Sequence, residues 1–379
     1  MIDVAIVGAG PVGATLAALL AQAGRAAQVF EARPGPAADA RTLALSHASR
    51  ERLDLVGAWP CAGATPITSI HVSQQGGPGR TLIEAADQGL DALGHTVAYS
   101  ALEGALLQAL ERAGVPVDFD AACTDIALGP DSARVRLASG REVEARLLVL
   151  ADGGANAARI PGVAFTEKDY GQVAVVAAIA TDRPHKGRAW ERFTPRGPMA
   201  LLPVGDRYAL VWTATPEEGA RLLALEDARF LTELQERFGD RAGRFVAAGS
   251  RAAFPLRLRL VNTPIALRTA IIGNAAQALH PVAGQGLNLG LRDAAELAAV
   301  IAASQPEALG DASMLGEYRD ARRRDAMRGA VFTDFLVSAF ADGPRVLTWG
   351  RGLALAALDL LPPARRLLAE RMIHGAPAP

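Results

Sequence analysis

Four short, mostly apolar runs along the chain end at or beside glycine or an acid. Val4–Val7 runs into Gly8, Ala27 to Phe30 into Glu31, Leu147–Leu150 into Ala151, Asp152 and Gly153, and Thr269 to Ile272 into Gly273. Four or so consecutive apolar residues without polar alternation predict a strand buried on both faces, as in a parallel sheet covered by helices. The stretch after Gly13 keeps helical apolar spacing to about Gly24. Ser100 to Ala113 does the same, with Ser100 predicted as N-cap and Gly114 as the stop. A second texture lies between these pieces. Residues 67–83 alternate and break at 76–79, which predicts a hairpin. Strands are expected at 124–128, 133–138 and 142–150, then at 172–181, 189–194, 199–204 and 207–215, separated by proline and glycine turns. The last four suit a sheet walling a pocket, with one helix over Leu222 to Phe238 lying on it. Beyond residue 287 the pattern is helical: 287–303, 313–341, 344–361 and 363–373.

The glycine-ended runs lie near residues 8, 152 and 273, so one domain must be assembled from separated segments, 1–66, 96–165 and 264–305. A second would comprise 67–95 and 166–263, followed by a C-terminal helical region, 306–379. The class expected is α/β: a Rossmann-like unit, a β-sheet domain and C-terminal helices.

Composition narrows the function classes. The 379 residues are 50% hydrophobic and 21% charged, enough for a large core, and the formal net charge is −1. No broad basic face is left for nucleic acid. Cys61 and Cys123 are far apart and without metal-ligand spacing, so both are read as reduced thiols and no metal is expected. The chain enters a strand at once, so no signal segment is expected, and it holds no apolar run long enough to span a bilayer. A cytoplasmic protein is expected.

The chemistry-bearing segments are the glycine turns. GAGPVG, residues 8–13, sits between strand and helix, and Glu31 closes the next strand 18 residues after Gly13. This is the dinucleotide pattern: Gly8 for the tight turn, Gly10 for approach of a pyrophosphate, Gly13 for helix–strand packing, with Pro11 and Val12 opening the helix and Glu31 placed for ribose hydroxyls. Asp152 and Gly153 form a second turn, which is also good turn chemistry in its own right. GNAAQALHPVAGQGLNLGLRD, residues 273–293, is the third. Gly284 and Gly286 would admit a flat ligand close to the backbone, and a helix opening near Leu287 and Asn288 would face it with free N–H groups and a positive dipole end. An ordinary glycine-rich loop before a packing helix would read the same way.

Taken in order, these motifs resemble the flavoprotein hydroxylases of the para-hydroxybenzoate hydroxylase fold. RTLALS (41–46), IHVSQQGGPGR (70–80), ERFTPRGPMALLPV (191–204) and FTDFLV (332–337) narrow the resemblance to the ubiquinone-biosynthesis branch, 2-octaprenyl-6-methoxyphenol hydroxylase-like. The resemblance implies FAD as cofactor, NAD(P)H as co-substrate, O2, and hydroxylation of a hydrophobic polyprenyl phenol through a flavin C(4a)-hydroperoxide. It places Asp152 and Gly153 at the pyrophosphate and ribityl region, Arg41 near the adenylate end, and Asn274 at a ribityl hydroxyl. Pro281, Gly284, Gln285 and Gly286 would surround the reacting flavin. Phe193, Met199, Leu201, Pro203 and Trp212 are candidate substrate-pocket residues. Where the family has Gly-Asp-Ala-Ala-His, this chain has Gly273, Asn274, Ala275, Ala276 and Gln277. Asn274 loses the aspartate's charge, which would weaken FAD retention by about 1 kcal/mol. The apolar C-terminal segment 347–368, flanked by arginines, could lie on an anionic inner membrane face or pack on the flavin domain. A ubiquinone-biosynthesis complex and a homo-oligomer are further expected partners. Two other readings stay open: a hydroxylase of a small soluble aromatic, and a non-catalytic flavin-fold subunit.

Overall fold

The computed structural model describes residues 1–37, 39, 41–76, 79–278, 285–322, 370 and 373. Its first layer is an eight-stranded sheet. The parallel strands Thr269–Ile271, Glu142–Leu150, Ile2–Val7, Ala27–Phe30 and Val117–Asp118 lie side by side. The antiparallel strand Ile265–Ala266 closes one edge, and Cys123–Leu128 with Ala133–Leu137 form a meander on Glu142–Leu150. The unbroken apolar runs have the expected cause: both faces are covered. Val4 and Ile6 pack with Leu147 and Val149 against the helices Pro11–Gln22, Tyr99–Arg112 and Gln285–Ala303, while Ala5, Val7, Leu148 and Leu150 pack on the opposite side with Val135 and Ile160.

The second layer is a nine-stranded sheet whose order runs Gln277–Ala278, Ala252–Val261, Phe165–Thr181, Arg207–Ala214, Gly197–Val204, Arg188–Thr194, Ser69–Gln74 and Arg80–Glu84, with Phe245–Ala248 beside Phe165–Thr181. It is antiparallel except where Arg188–Thr194 meets Ser69–Gln74. The expected hairpin is the pair Ser69–Gln74 and Arg80–Glu84. A three-stranded sheet, Thr42–Ser46, Gly94–Ala98 and Thr65–Ile67, lies between the larger two. The fold is α/β with a Rossmann-like unit and a separate β-sheet layer, as the patterning predicts.

Two expectations are corrected. The expected helix over Leu222 to Phe238 is two helices, Pro216–Ala224 and Asp227–Phe238, because Leu225 and Glu226 adopt extended backbone. Thr215 caps the first, its side chain accepting from the Glu218 N–H. Ser100 is not an N-cap: the helix begins at Tyr99 after Ala98, without a side-chain cap. Residues 312–322 are helical, and the remainder of the expected C-terminal helices lies outside the described residues apart from 370 and 373.

Candidate cofactor and substrate cleft

The three glycine turns meet. Gly8, Gly10, Pro11, Val12, Asp152, Gly153, Asn274, Gln285, Gly286, Leu287 and Asn288 all border one cavity of about 970 Å³. Pro281 and Gly284 lie outside the described residues.

The glycines in GAGPVG divide into two physical kinds. Gly8 has φ +108°, and a Cβ there would sit 2.6 Å from the Ala151 carbonyl oxygen, so the first turn and the Asp152 turn interlock. A Cβ on Gly13 would fall on the Gly8 carbonyl oxygen at 2.1 Å. Both are required by backbone approach. Gly10 is different: the nearest atom to its would-be Cβ is Tyr99 Oη at 3.6 Å, and its backbone conformation suits any residue. The protein leaves that space empty at the start of a twelve-residue helix whose N-cap supplies no side-chain acceptor. Free N–H groups and a positive helix end facing an open cleft fit a pyrophosphate.

Glu31 is buried at the same end. Its Oε2 accepts from the Ala9 N–H (2.8 Å), while Arg33 donates to Oε1 from its backbone (3.0 Å) and Nε (2.9 Å) and to Oε2 from its guanidinium (3.1 Å). Burial acts to raise the Glu31 pKa, but the hydrogen bonds from Arg33 and Ala9 outweigh it and hold the carboxyl below its ordinary value. Four donors fill a carboxylate's usual capacity. Glu31 thus organises the turn, and Arg33, unnoticed in the sequence, is a cleft residue beside it. Arg33 also pairs with the buried Glu103 (2.8 Å), which accepts from the Ala37 N–H (2.6 Å). Arg41 borders the cleft, chelated by Asp39 and lying 5.4 Å from the Tyr99 ring centroid. Asp152 spends its oxygens on its own turn, accepting from Gly154 N–H (2.9 Å), Asn156 N–H (2.9 Å) and Asn156 Nδ2 (2.7 Å), so the turn that borders the cleft is held by its own side chains.

The third turn is held by a residue that patterning did not single out. Asp293, buried on the helix Gln285–Ala303, accepts from Gly273 N–H (2.8 Å), from Gln277 Nε2 (3.0 Å) and from Arg322 Nε (2.6 Å). Burial pushes its carboxyl up, and the Arg322 guanidinium pulls against that. Gln277 is therefore turned to Asp293 and does not border the cleft, whereas Asn274 does. Asn288 is also engaged: its Nδ2 donates to the Ala44 carbonyl (3.0 Å) and its Oδ1 accepts from Ser46 N–H (2.9 Å), docking the helix on Thr42–Ser46.

At the other end of the cleft stands the nine-stranded sheet, and here one set of expected residues is on the wrong face. Met199, Leu201 and Trp212 are sealed in the core with Phe230, Leu234 and Phe238, on the side away from the cleft. Pro203 shares the alternation of Met199 and Leu201, and its carbonyl accepts from Thr96 Oγ1. Phe193 is buried without bordering the cleft. The cleft is walled by their strand neighbours Ala189, Ala200, Leu202 and Val211, with Ile70 and Ile83 from the hairpin. A shift of one residue exchanges the faces of a strand. Glu191 belongs to this wall. Its Oε1 is shut off from solvent and has no hydrogen-bond partner, and burial pushes its carboxyl up to about 8. His71 sits on the opposite face against Trp190, with burial and then Arg241, Arg188 and Arg80 lowering it to about 4, so it is neutral near pH 7.

A dinucleotide-type cleft opening onto an apolar sheet wall defines an FAD-binding flavoprotein with the fold of the aromatic hydroxylases. The family model described as FAD binding domain matches residues 1–333, and the chain belongs to that family. Ubiquinone hydroxylase UbiL of Rhodospirillum rubrum is 36% identical over 377 residues, covering 96% of this chain and 88% of the relative. The 3-demethoxyubiquinol 3-hydroxylase of Escherichia coli is 32% identical over 371 residues, covering 94% of each. Among solved structures, p-nitrophenol 4-monooxygenase PnpA from Pseudomonas putida has the same fold, with a TM-score of 0.81 at 18% identity over 100% of this chain and 99% of that one. Klebsiella pneumoniae HpxO complexed with FAD and uric acid gives 0.76 at 17% identity over 99% and 96%.

Proposed function

We propose that this protein is an FAD-dependent monooxygenase that hydroxylates the aromatic ring of a polyprenyl phenol in ubiquinone biosynthesis, with NAD(P)H as reductant. The observation that carries the reading is the continuity of one cavity from the open space at Gly10 to the apolar wall at Ala200, Leu202 and Val211. An elongated cofactor and a hydrophobic ring would share that space. The names of the 36% and 32% identical relatives support the substrate class.

Bound FAD, once reduced, supplies oxygen from O2 to an electron-rich ring. The chain's part is positional and electrostatic. Gly10 and the helix start at Pro11 would take the pyrophosphate, Arg33 and Arg41 the adenylate end, and the turns at Asp152–Gly153 and Asn274 the ribityl chain. Gln285, Gly286 and the helix they open border the region between cofactor and wall. The apolar wall keeps water from the ring. We also propose a peripheral contact with an anionic membrane through the segment 347–368, and assembly with other enzymes of the pathway or with a second copy. That segment lies outside the described residues. Among the described residues no helix is long and apolar enough to cross a membrane.

The deciding experiment is a quinone profile of cells lacking the protein. A methoxylated or unmethoxylated polyprenyl phenol should accumulate, and the purified protein should be yellow and be reduced anaerobically by NADH or NADPH. An unchanged profile, or protein that cannot be loaded with FAD, would overturn the proposal. Co-sedimentation with vesicles containing anionic lipid tests the membrane contact; equal binding after removal of residues 344–379 would discard it.

A further inference from the structure

The substrate wall contains a single ionisable side chain among the described residues that border the cleft from the nine-stranded sheet. It is Glu191, in a setting of Ile70, Ala189, Ala200, Leu202 and Val211. On the strand Arg188–Thr194 it is paired across to Ala200 on one side and Val72 on the other, so neither neighbour offers it a hydrogen bond from a side chain. Oε1 is buried and unpartnered. A carboxyl that borders a cavity with one of its oxygens left unpaired is costly to maintain and is most simply explained by a ligand group that completes it.

We propose that Glu191 is the acid–base residue for the hydroxyl of the aromatic substrate. The inference rests on the aromatic hydroxylase reading above. In the step assigned to it, the phenolic O–H bond breaks, its electron pair stays on oxygen and adds density to the ring, and the proton joins the Glu191 carboxylate. The ring carbon would then take a hydroxyl group from the oxygen donor that reduced FAD supplies, the donor's O–O bond breaking with its electron pair left on the donor oxygen. As the C–H proton of that carbon neutralises the oxygen left on the donor and the ring becomes aromatic again, Glu191 returns its proton to the original oxygen, so the residue ends as it began.

The electrostatics suit the task. Burial alone raises the Glu191 carboxyl to about 8, close to working pH and much nearer a phenol than an ordinary carboxylate. Arg188 and Arg192 on its own strand belong to the other face: Arg188 lies 5.7 Å from the Trp190 ring centroid and Arg192 donates to Ser73 Oγ. Ser69–Gln74 and Gly197–Val204, the strands on either side, present no charged group to the cleft. The charged groups across the cavity, Glu31, Arg33, Asp39, Arg41, Asp152 and Arg159, belong to the nucleotide end or its turns.

The test uses FAD-loaded protein and a short-tailed methoxyphenol. Glu191→Gln should lower kcat about 100-fold with KM changed less than threefold, and should abolish the rise of kcat through pH 8, while Glu191→Asp restores part of the rate. A second readout does not depend on turnover. In wild type, the ultraviolet phenolate band of the bound phenol and the infrared band of a protonated carboxyl should change together with pH, and in Glu191→Gln the carboxyl band should be missing. A Gln variant with wild-type kcat and pH profile, or wild-type protein whose bound phenol ionises without any carboxyl signal, would overturn the role of Glu191 alone. Wild-type protein that neither binds nor oxidises any phenol would instead bring down the hydroxylase reading and this inference with it.

Discussion

Asp293 offers the sharpest stability test because several independent elements converge on one buried carboxylate. Asp293→Ala removes the acceptor of Gly273 N–H at 2.8 Å, of Gln277 Nε2 at 3.0 Å and of Arg322 Nε at 2.6 Å. Arg322 is 2% exposed, so its guanidinium cannot turn to water. Breaking a buried ion pair from one side costs about 3–5 kcal/mol, most of it the penalty of the cation left behind. Glu296 lies 3.9 Å from the Arg322 guanidinium and offsets part of this, which favours the lower end, about 3 kcal/mol. The loop also loosens, and its exposed member Asn274 borders the cofactor cleft, so FAD affinity should fall about tenfold, equivalent to about 1.4 kcal/mol. Urea unfolding followed by far-ultraviolet circular dichroism, with FAD titrated into deflavinated protein, reads both effects. Asp293→Leu combined with Arg322→Met should be more stable than Asp293→Ala, because the buried ion pair is then replaced from both sides. A single variant within 1 kcal/mol of wild type, or a double variant as unstable as the sum of its parts, would refute the account of Asp293 as the clamp of the third turn.

Three further outcomes follow from the geometry. Gly10→Ala should leave the urea midpoint unchanged yet weaken FAD binding at least tenfold, whereas Gly8→Ala should cost about 3 kcal/mol or more in apoprotein stability, since φ +108° and a 2.6 Å approach to Ala151 both oppose a side chain; equal effects at the two positions would contradict the division. Ala200→Trp should block substrate binding with the fold intact, while Met199→Ala should destabilise by about 2–5 kcal/mol without changing substrate choice, and the reverse pattern would put the sheet's faces the other way round. Glu191 binds a proton in the folded state between its ordinary value of 4.5 and about 8, so wild-type stability should decline across that window as pH rises. Glu191→Gln should escape the decline and gain about 2–4 kcal/mol over wild type above pH 8, the full shift being reduced by water in the cavity, and a stability difference independent of pH would refute it.

What could be read without coordinates, and what could not, follows the kind of interaction involved. Val4–Val7 and Leu147–Leu150 are legible because a parallel strand covered on both faces must be apolar at every position, and the glycines that end them answer to backbone geometry within a few residues. The substrate wall is illegible for a related reason. Met199, Ala200, Leu201 and Leu202 are all apolar, so nothing in their order tells which alternate set meets the helices and which meets the cleft; only the packing of Phe230 and Phe238 against Met199 and Trp212 decides it. Glu191 is hidden by its neighbours, since in the string Glu191–Arg192 it looks like an exposed ion pair, and the strand sends the two side chains to opposite faces. Asp293 needed the position of Arg322, 29 residues onward, before its role could be seen. Polar residues that organise a buried site gain their meaning from a partner brought in by tertiary structure. A single sequence therefore displays the cofactor's cradle more readily than the charges that would work on the substrate.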